Sequence, residues 1–112
     1  MRPMHADHQV FLDALAGKRR VSLRFFHKKE GREKTCICAP LDYGPLRGAA
    51  DPVPHYQLWD LEGKRKPLNV AVAAEDVRSM TMLDETFDPA AIITWRFKPK
   101  AWHVERDWGE FS

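Results

Sequence analysis

Several signals are missing from this 112-residue chain, and each absence excludes a class of function. No segment approaches the roughly eighteen consecutive apolar residues that would span a bilayer, so no membrane partner is expected. Serine occurs only at Ser22, Ser79 and Ser112, and none sits in a Gly-x-Ser-x-Gly elbow. There is no His-Glu-x-x-His pair and no glycine-rich phosphate loop. The histidines His5, His8, His27, His55 and His103 therefore have no nucleophile motif to serve, and the expectation is a non-enzymatic protein. Asp84, Glu85 and Asp88 read as a polar turn with caps. Cysteine is limited to Cys36 and Cys38. A zinc site needs four ligands, and only His27 and His55 offer themselves as additions, so neither metal nor cofactor is expected. A disulfide between alternate residues of one strand is not expected either, since their backbones stand about 7 Å apart. The opening Met-Arg-Pro-Met-His-Ala-Asp-His lacks the apolar core of a secretory signal, which points to a cytoplasmic protein.

What is present is a run of short apolar alternations. The length suits a single domain over 1–112, and 44% hydrophobic with 30% charged residues is an ordinary balance for a soluble fold. Asp7 is placed to cap a helix over 7–17, with Val10, Phe11, Ala14 and Leu15 at helical spacing and Gly17 at its end. Lys18, Arg19 and Arg20 follow, where positive charge suits the helix dipole. A barrel core over 20–83 comes next. Val21, Leu23, Phe25 and His27 share one strand face, and Ser22, Arg24, Phe26 and Lys28 the other.

Two hairpins organise this core. The first pairs Val21–Lys28 with Glu33–Leu41 around Gly31, and Pro40 ends its second strand or lies on an edge. The stretch 42–54, broken by Pro45, Pro52 and Pro54, reads as an irregular loop. The second hairpin pairs His55–Leu61 with Leu68–Ala73 around Gly63. Ala74, Glu75 and Asp76 form one helical turn or a bend, and Val77–Leu83 is the fifth strand. The expected fold is mainly β: an SH3-like, partly open barrel of about five strands with one N-terminal helix and an aromatic C-terminal arm.

Charge and aromatic residues are unevenly spread. Between Lys18 and Lys34 lie eight basic residues and two acids, whereas 84–112 holds four bases and six acids. The basic hairpin is either a solvated edge protected from aggregation or a face that attracts phosphates. On the second reading Tyr56, Trp59 and Arg24 share an exposed face, and Lys64, Arg65 and Lys66 add to it if their turn lies beside the first hairpin, with arginine and lysine neutralising phosphate and Tyr56 stacking. On the first, Tyr56 and Leu58 face the core. In the arm, Ile92, Ile93, Trp95 and Phe97 suggest a sixth strand or an extended segment. Trp95, Trp102, Trp108 and Phe111 carry too much aromatic area to hang in water. They either wrap back over the barrel or form the interface of a homo-oligomer or another protein.

The order of these pieces resembles a known family. A helix, a basic Val-x-Leu-x-Phe strand, a glycine turn, a strand ending Ala-Pro-Leu and then Tyr-x-Leu-Trp-Asp-x-x-Gly is similar to the bacterial WYL domain. The likeness continues through Leu68-Asn-Val-Ala-Val-Ala-Ala-Glu-Asp-Val77 and Leu83-Asp-Glu-Thr-Phe87-Asp-Pro89, covering roughly residues 8–90. Of the name motif Trp-Tyr-Leu, which falls on His55-Tyr56-Gln57, only Tyr56 is kept. Where the family places arginines that line a ligand pocket, this chain has Glu75-Asp76-Val77, with Arg78 the nearest base. The resemblance implies an SH3-like core and self-association. It also implies a regulatory module that holds an anionic small ligand or nucleic acid, here without the winged-helix domain that usually precedes it.

Overall fold

A computed structural model describes residues 5–46, 52–64, 68–95 and 102–112. The chain opens with helix α1, His8–Ala16, whose Phe11, Ala14 and Leu15 fall at i, i+3 and i+4 and are all buried. Asp7 occupies the N-cap position, but its carboxylate does not cap the helix. It accepts a hydrogen bond from the Met80 N–H at 3.0 Å, tying the helix start to a strand seventy residues away. The turn after α1 is made by Lys18, at φ 54°, and not by Gly17. Arg19 and Arg20 do not serve the helix end. Their guanidinium groups reach across to the carbonyls of Leu83 and Thr86.

Strand β1, Arg19–His27, buries Val21, Leu23 and Phe25 and exposes Arg24, as the alternation predicts. Gly31, at φ 65°, supplies the left-handed residue of the first hairpin, and its N–H donates to the His27 carbonyl at 2.8 Å. Strand β2 runs from Arg32 to Pro45, so residues 42–45 are strand and not the expected loop. It pairs with β1 up to Cys38 and with strand β3, Pro54–Asp60, from Cys38 onward. Pro40 neither ends the strand nor spoils it. It lies beyond the last β1 pair, so its missing N–H costs no bond to β1, and a register shift at Leu41 bends the strand there.

Strand β4, Asn69–Ala73, completes the second hairpin. One 3-10 turn, Ala74–Asp76, leads into β5, Val77–Thr86, which pairs with β1. The strand order β4-β3-β2-β1-β5 fixes the curvature. In a flat sheet β4 and β5 would stand four spacings apart, roughly 19 Å. A three-residue 3-10 turn advances only about 6–8 Å. The sheet therefore curls into a partly open SH3-like barrel, with Phe11, Leu15, Val21, Leu23, Tyr56 and Leu58 at its centre.

The arm departs from expectation in its first part. Pro89–Ile92 is a single helical turn, α2, with the Ala90 N–H donating to the Asp88 side chain, and no sixth strand forms there. Ile92 and Ile93 are buried. Phe97 lies outside the described residues. Residues 102–112 fold back over the barrel. Trp108 is 4% exposed, and its indole N–H donates to the Leu15 carbonyl at the end of α1 at 2.9 Å.

Candidate functional site

Eight of the chain's eighteen lysines and arginines lie between Lys18 and Lys34, in and just before the first hairpin. Arg24 projects from the outer face of β1, opposite in sense to the buried Leu23 and Phe25. Its Nε lies 3.1 Å from Glu33 Oε1, and Arg78 Nε approaches the same oxygen at 3.9 Å. Arg78 also covers the Phe26 ring at 5.7 Å from its centroid. Lys28 meets Asp76 at 3.2 Å, and Glu30 gathers Lys34, Arg32 and His27. Lys34 and Arg32 hold the exposed Glu30 carboxyl below its ordinary range. Arg24, Lys28, Arg32 and Lys34 thus each have an acidic partner, from the hairpin itself or from the turn before β5.

Tyr56 belongs elsewhere. It is 0% exposed and lies in the core beside Phe11, at 5.0 Å between ring centroids. Its hydroxyl accepts the His5 N–H at 3.1 Å and contacts His8 Nδ1 at 2.9 Å. Burial pushes this phenol up to about 12 and holds the His8 imidazole below 6.5. Tyr56 is therefore not a contact on an exposed basic face. The reason is register: it pairs with Tyr43 and Val72 on the barrel's inner side, and the outer positions of β3 go to Gln57 and Trp59. Lys64 is exposed after the β3 strand. Arg65 and Lys66 lie outside the described residues.

The residues singled out from the sequence do not include a buried polar cluster that β2 and the arm form together. Asp42, on β2, is buried and accepts the N–H groups of His103 and Val104, each at 3.0 Å. Arg106 lies 3.5 Å from the same carboxylate, and its guanidinium donates to the carbonyls of Leu41 and Val104. The cation lies over two indole rings that meet edge to face, 4.1 Å from the Trp102 centroid and 4.4 Å from that of Trp108. Burial lowers the Arg106 pKa to about 10 against the opposing pull of Asp42, so the group remains charged at neutral pH. Gly44 completes the seat, since a Cβ there would meet the His103 ring at 2.5 Å. An arginine between two tryptophans was the available signal. Nothing local connected it to an aspartate more than sixty positions earlier.

The other aromatic candidates divide cleanly. Trp108 is buried within its own chain, and Trp102 donates its indole N–H to the Phe111 carbonyl at 2.7 Å. Trp95 is 45% exposed, its ring 6.1 Å from that of Trp59 on the outer side of β3. The cysteines share one face of β2 with Cys38 buried and Cys36 half-buried, both as free thiols. His27 and His55 do not join them: His27 pairs with Arg32 at the hairpin tip, and His55 contacts the Val53 carbonyl. Among the described residues no three of His, Cys, Asp or Glu are grouped to hold a metal ion.

Comparison with protein-family models, with curated proteins and with solved structures finds no match. Among the described residues no helix is long and apolar enough to cross a membrane.

Proposed function

We propose that this domain is a non-enzymatic, WYL-like interaction module that associates with a second copy of itself through the Trp95–Trp59 face. The observation that supports this reading is the exposed Trp95 indole, held against a second tryptophan on the sheet's outer side. A partly exposed pair of indoles is the kind of anchor that protein interfaces use. Trp108 is buried within its own chain and Trp102 is half-buried, so Trp95 is the most exposed of these three indoles.

A regulatory module for an anionic small ligand or nucleic acid is the second reading. Its support is the convergence of Arg24 and Arg78 on one oxygen of Glu33. A carboxylate of the chain already occupies the place an incoming anion would take, and this ranks the reading below self-association.

Sedimentation of the full chain across the micromolar range separates the two. The expected result is a dimer that Trp95→Ser converts to a monomer while the circular dichroism stays unchanged. A wild-type chain that remains monomeric throughout overturns the self-association reading. Salt-sensitive binding of a short oligonucleotide, lost in Arg24→Ala, would put the second reading in its place.

A further inference from the structure

Cys36 and Cys38 are the only cysteines of the chain, and the fold brings their sulfur atoms to 2.7 Å. Non-bonded heavy atoms normally rest about 3.5–4.0 Å apart, so these two are pressed together. A disulfide bond is about 2.05 Å long, which leaves roughly 0.65 Å to close. Alternate residues on a strand stand about 6.4–6.8 Å apart, at the upper edge of the range that disulfides bridge. Local twist shortens that span, and β2 changes partners at this point: Cys38 pairs with Val21 of β1 and with Asp60 of β3.

The two thiols differ in access. Cys36 is half-buried and reachable from solvent, opposite Leu23. Cys38 is fully buried. Contact with Cys36, burial and the nearby Asp60 and Glu62 carboxylates all push the Cys38 thiol well above its ordinary range. This division suits a pair in which one sulfur meets the reagent and the other follows.

We propose that Cys36 and Cys38 form a reversible oxidation site, closing to an intramolecular disulfide by exchange with a small-molecule disulfide. In the first step the Cys36 thiolate attacks one sulfur of the reagent. A mixed disulfide forms, and one reagent thiolate leaves. In the second step Cys38 gives up its proton and attacks the Cys36 sulfur. The new Cys36–Cys38 bond forms as the mixed disulfide breaks and the second reagent thiolate leaves. Two protein thiols are oxidised, one reagent disulfide is reduced to two thiols, and the two protons end on those thiols. A ring this small is strained, so the bond is readily reduced again, in contrast to structural disulfides. Because Cys38 is where β2 passes from β1 to β3, closure acts at that change of partner.

The test uses the full native chain and oxidised glutathione. After incubation, acid quenching and alkylation, intact mass is measured. The expected product is a monomer lighter by two hydrogens that takes up no alkylating agent, and dithiothreitol restores both thiols. Having no other cysteine, the chain can reach that mass by no other internal disulfide. Cys38→Ser is expected to stop at the glutathione adduct on Cys36. In Cys36→Ser the remaining thiol should react roughly tenfold or more slowly than Cys36 does, because it is buried. A wild-type product that keeps both thiols, retains glutathione or links two chains overturns the proposal, and this result needs no variant to fold.

Discussion

Arg24 and Arg106 each face a carboxylate, and little else about the two pairs is alike. Arg24 meets Glu33 at 3.1 Å on the barrel's outer surface, with both side chains exposed. Arg106 stands at the longer distance of 3.5 Å from Asp42, yet its side chain is wholly covered. Separation does not rank these interactions; solvent does. An exposed pair trades water for a partner of similar quality and gains at most about 1 kcal/mol. A covered pair has lost its water, so removing either member strands the other. The arm adds two indole faces and several backbone bonds to Arg106, whereas the hairpin offers Arg24 one shared acid.

The largest expected effect comes from breaking the covered pair. Arg106→Ala should lower stability by about 3–5 kcal/mol, read from urea unfolding, and should release Trp108 fluorescence from its buried environment. An unchanged midpoint would mean that the arm adds nothing to the barrel.

A smaller effect is expected at His8, at the start of α1. Burial lowers its folded-state pKa below 6.5, so the unfolded chain binds the proton first. Its contribution is fully present above pH 6.5 and is lost as pH falls through the folded-state value. The unfolding midpoint should therefore drop between pH 7.5 and 5.5. In His8→Gln that drop should be reduced.

The smallest effect belongs to the hairpin. Glu33→Ala should change stability by under about 1 kcal/mol, and less still in high salt. A loss comparable to that of Arg106→Ala would erase the distinction between the two regions.

The same contrast explains what could be read from the residues. Strand β1 was legible because one face is wet and the other dry: Val21, Leu23 and Phe25 alternate with exposed or half-exposed neighbours. The end of β2 was not. The strand is legible as far as Leu41; from Asp42 to Pro45 aspartate, glycine and proline suggest a loop, and the unbroken burial of Ala39 to Asp42 leaves no alternation to carry the pattern on. The arm, sixty positions further along, covers Leu41 and Asp42. Tyr56 and Trp59 are both aromatic residues on β3, and composition alone could not say which faces inward. The pairing with Tyr43 and Val72 decides it. The Cys36–Cys38 spacing placed both sulfurs on one face, but their closeness depends on how β2 twists, which spacing does not encode.

The most direct test of the account is a pair of double-mutant cycles measured by urea unfolding in one buffer. One combines Asp42→Asn with Arg106→Leu, and the other Glu33→Gln with Arg24→Leu. The account predicts a coupling of about 1.5 kcal/mol or more for Asp42 with Arg106 and about 0.5 kcal/mol or less for Glu33 with Arg24. Equal couplings, or the reverse order, would contradict it.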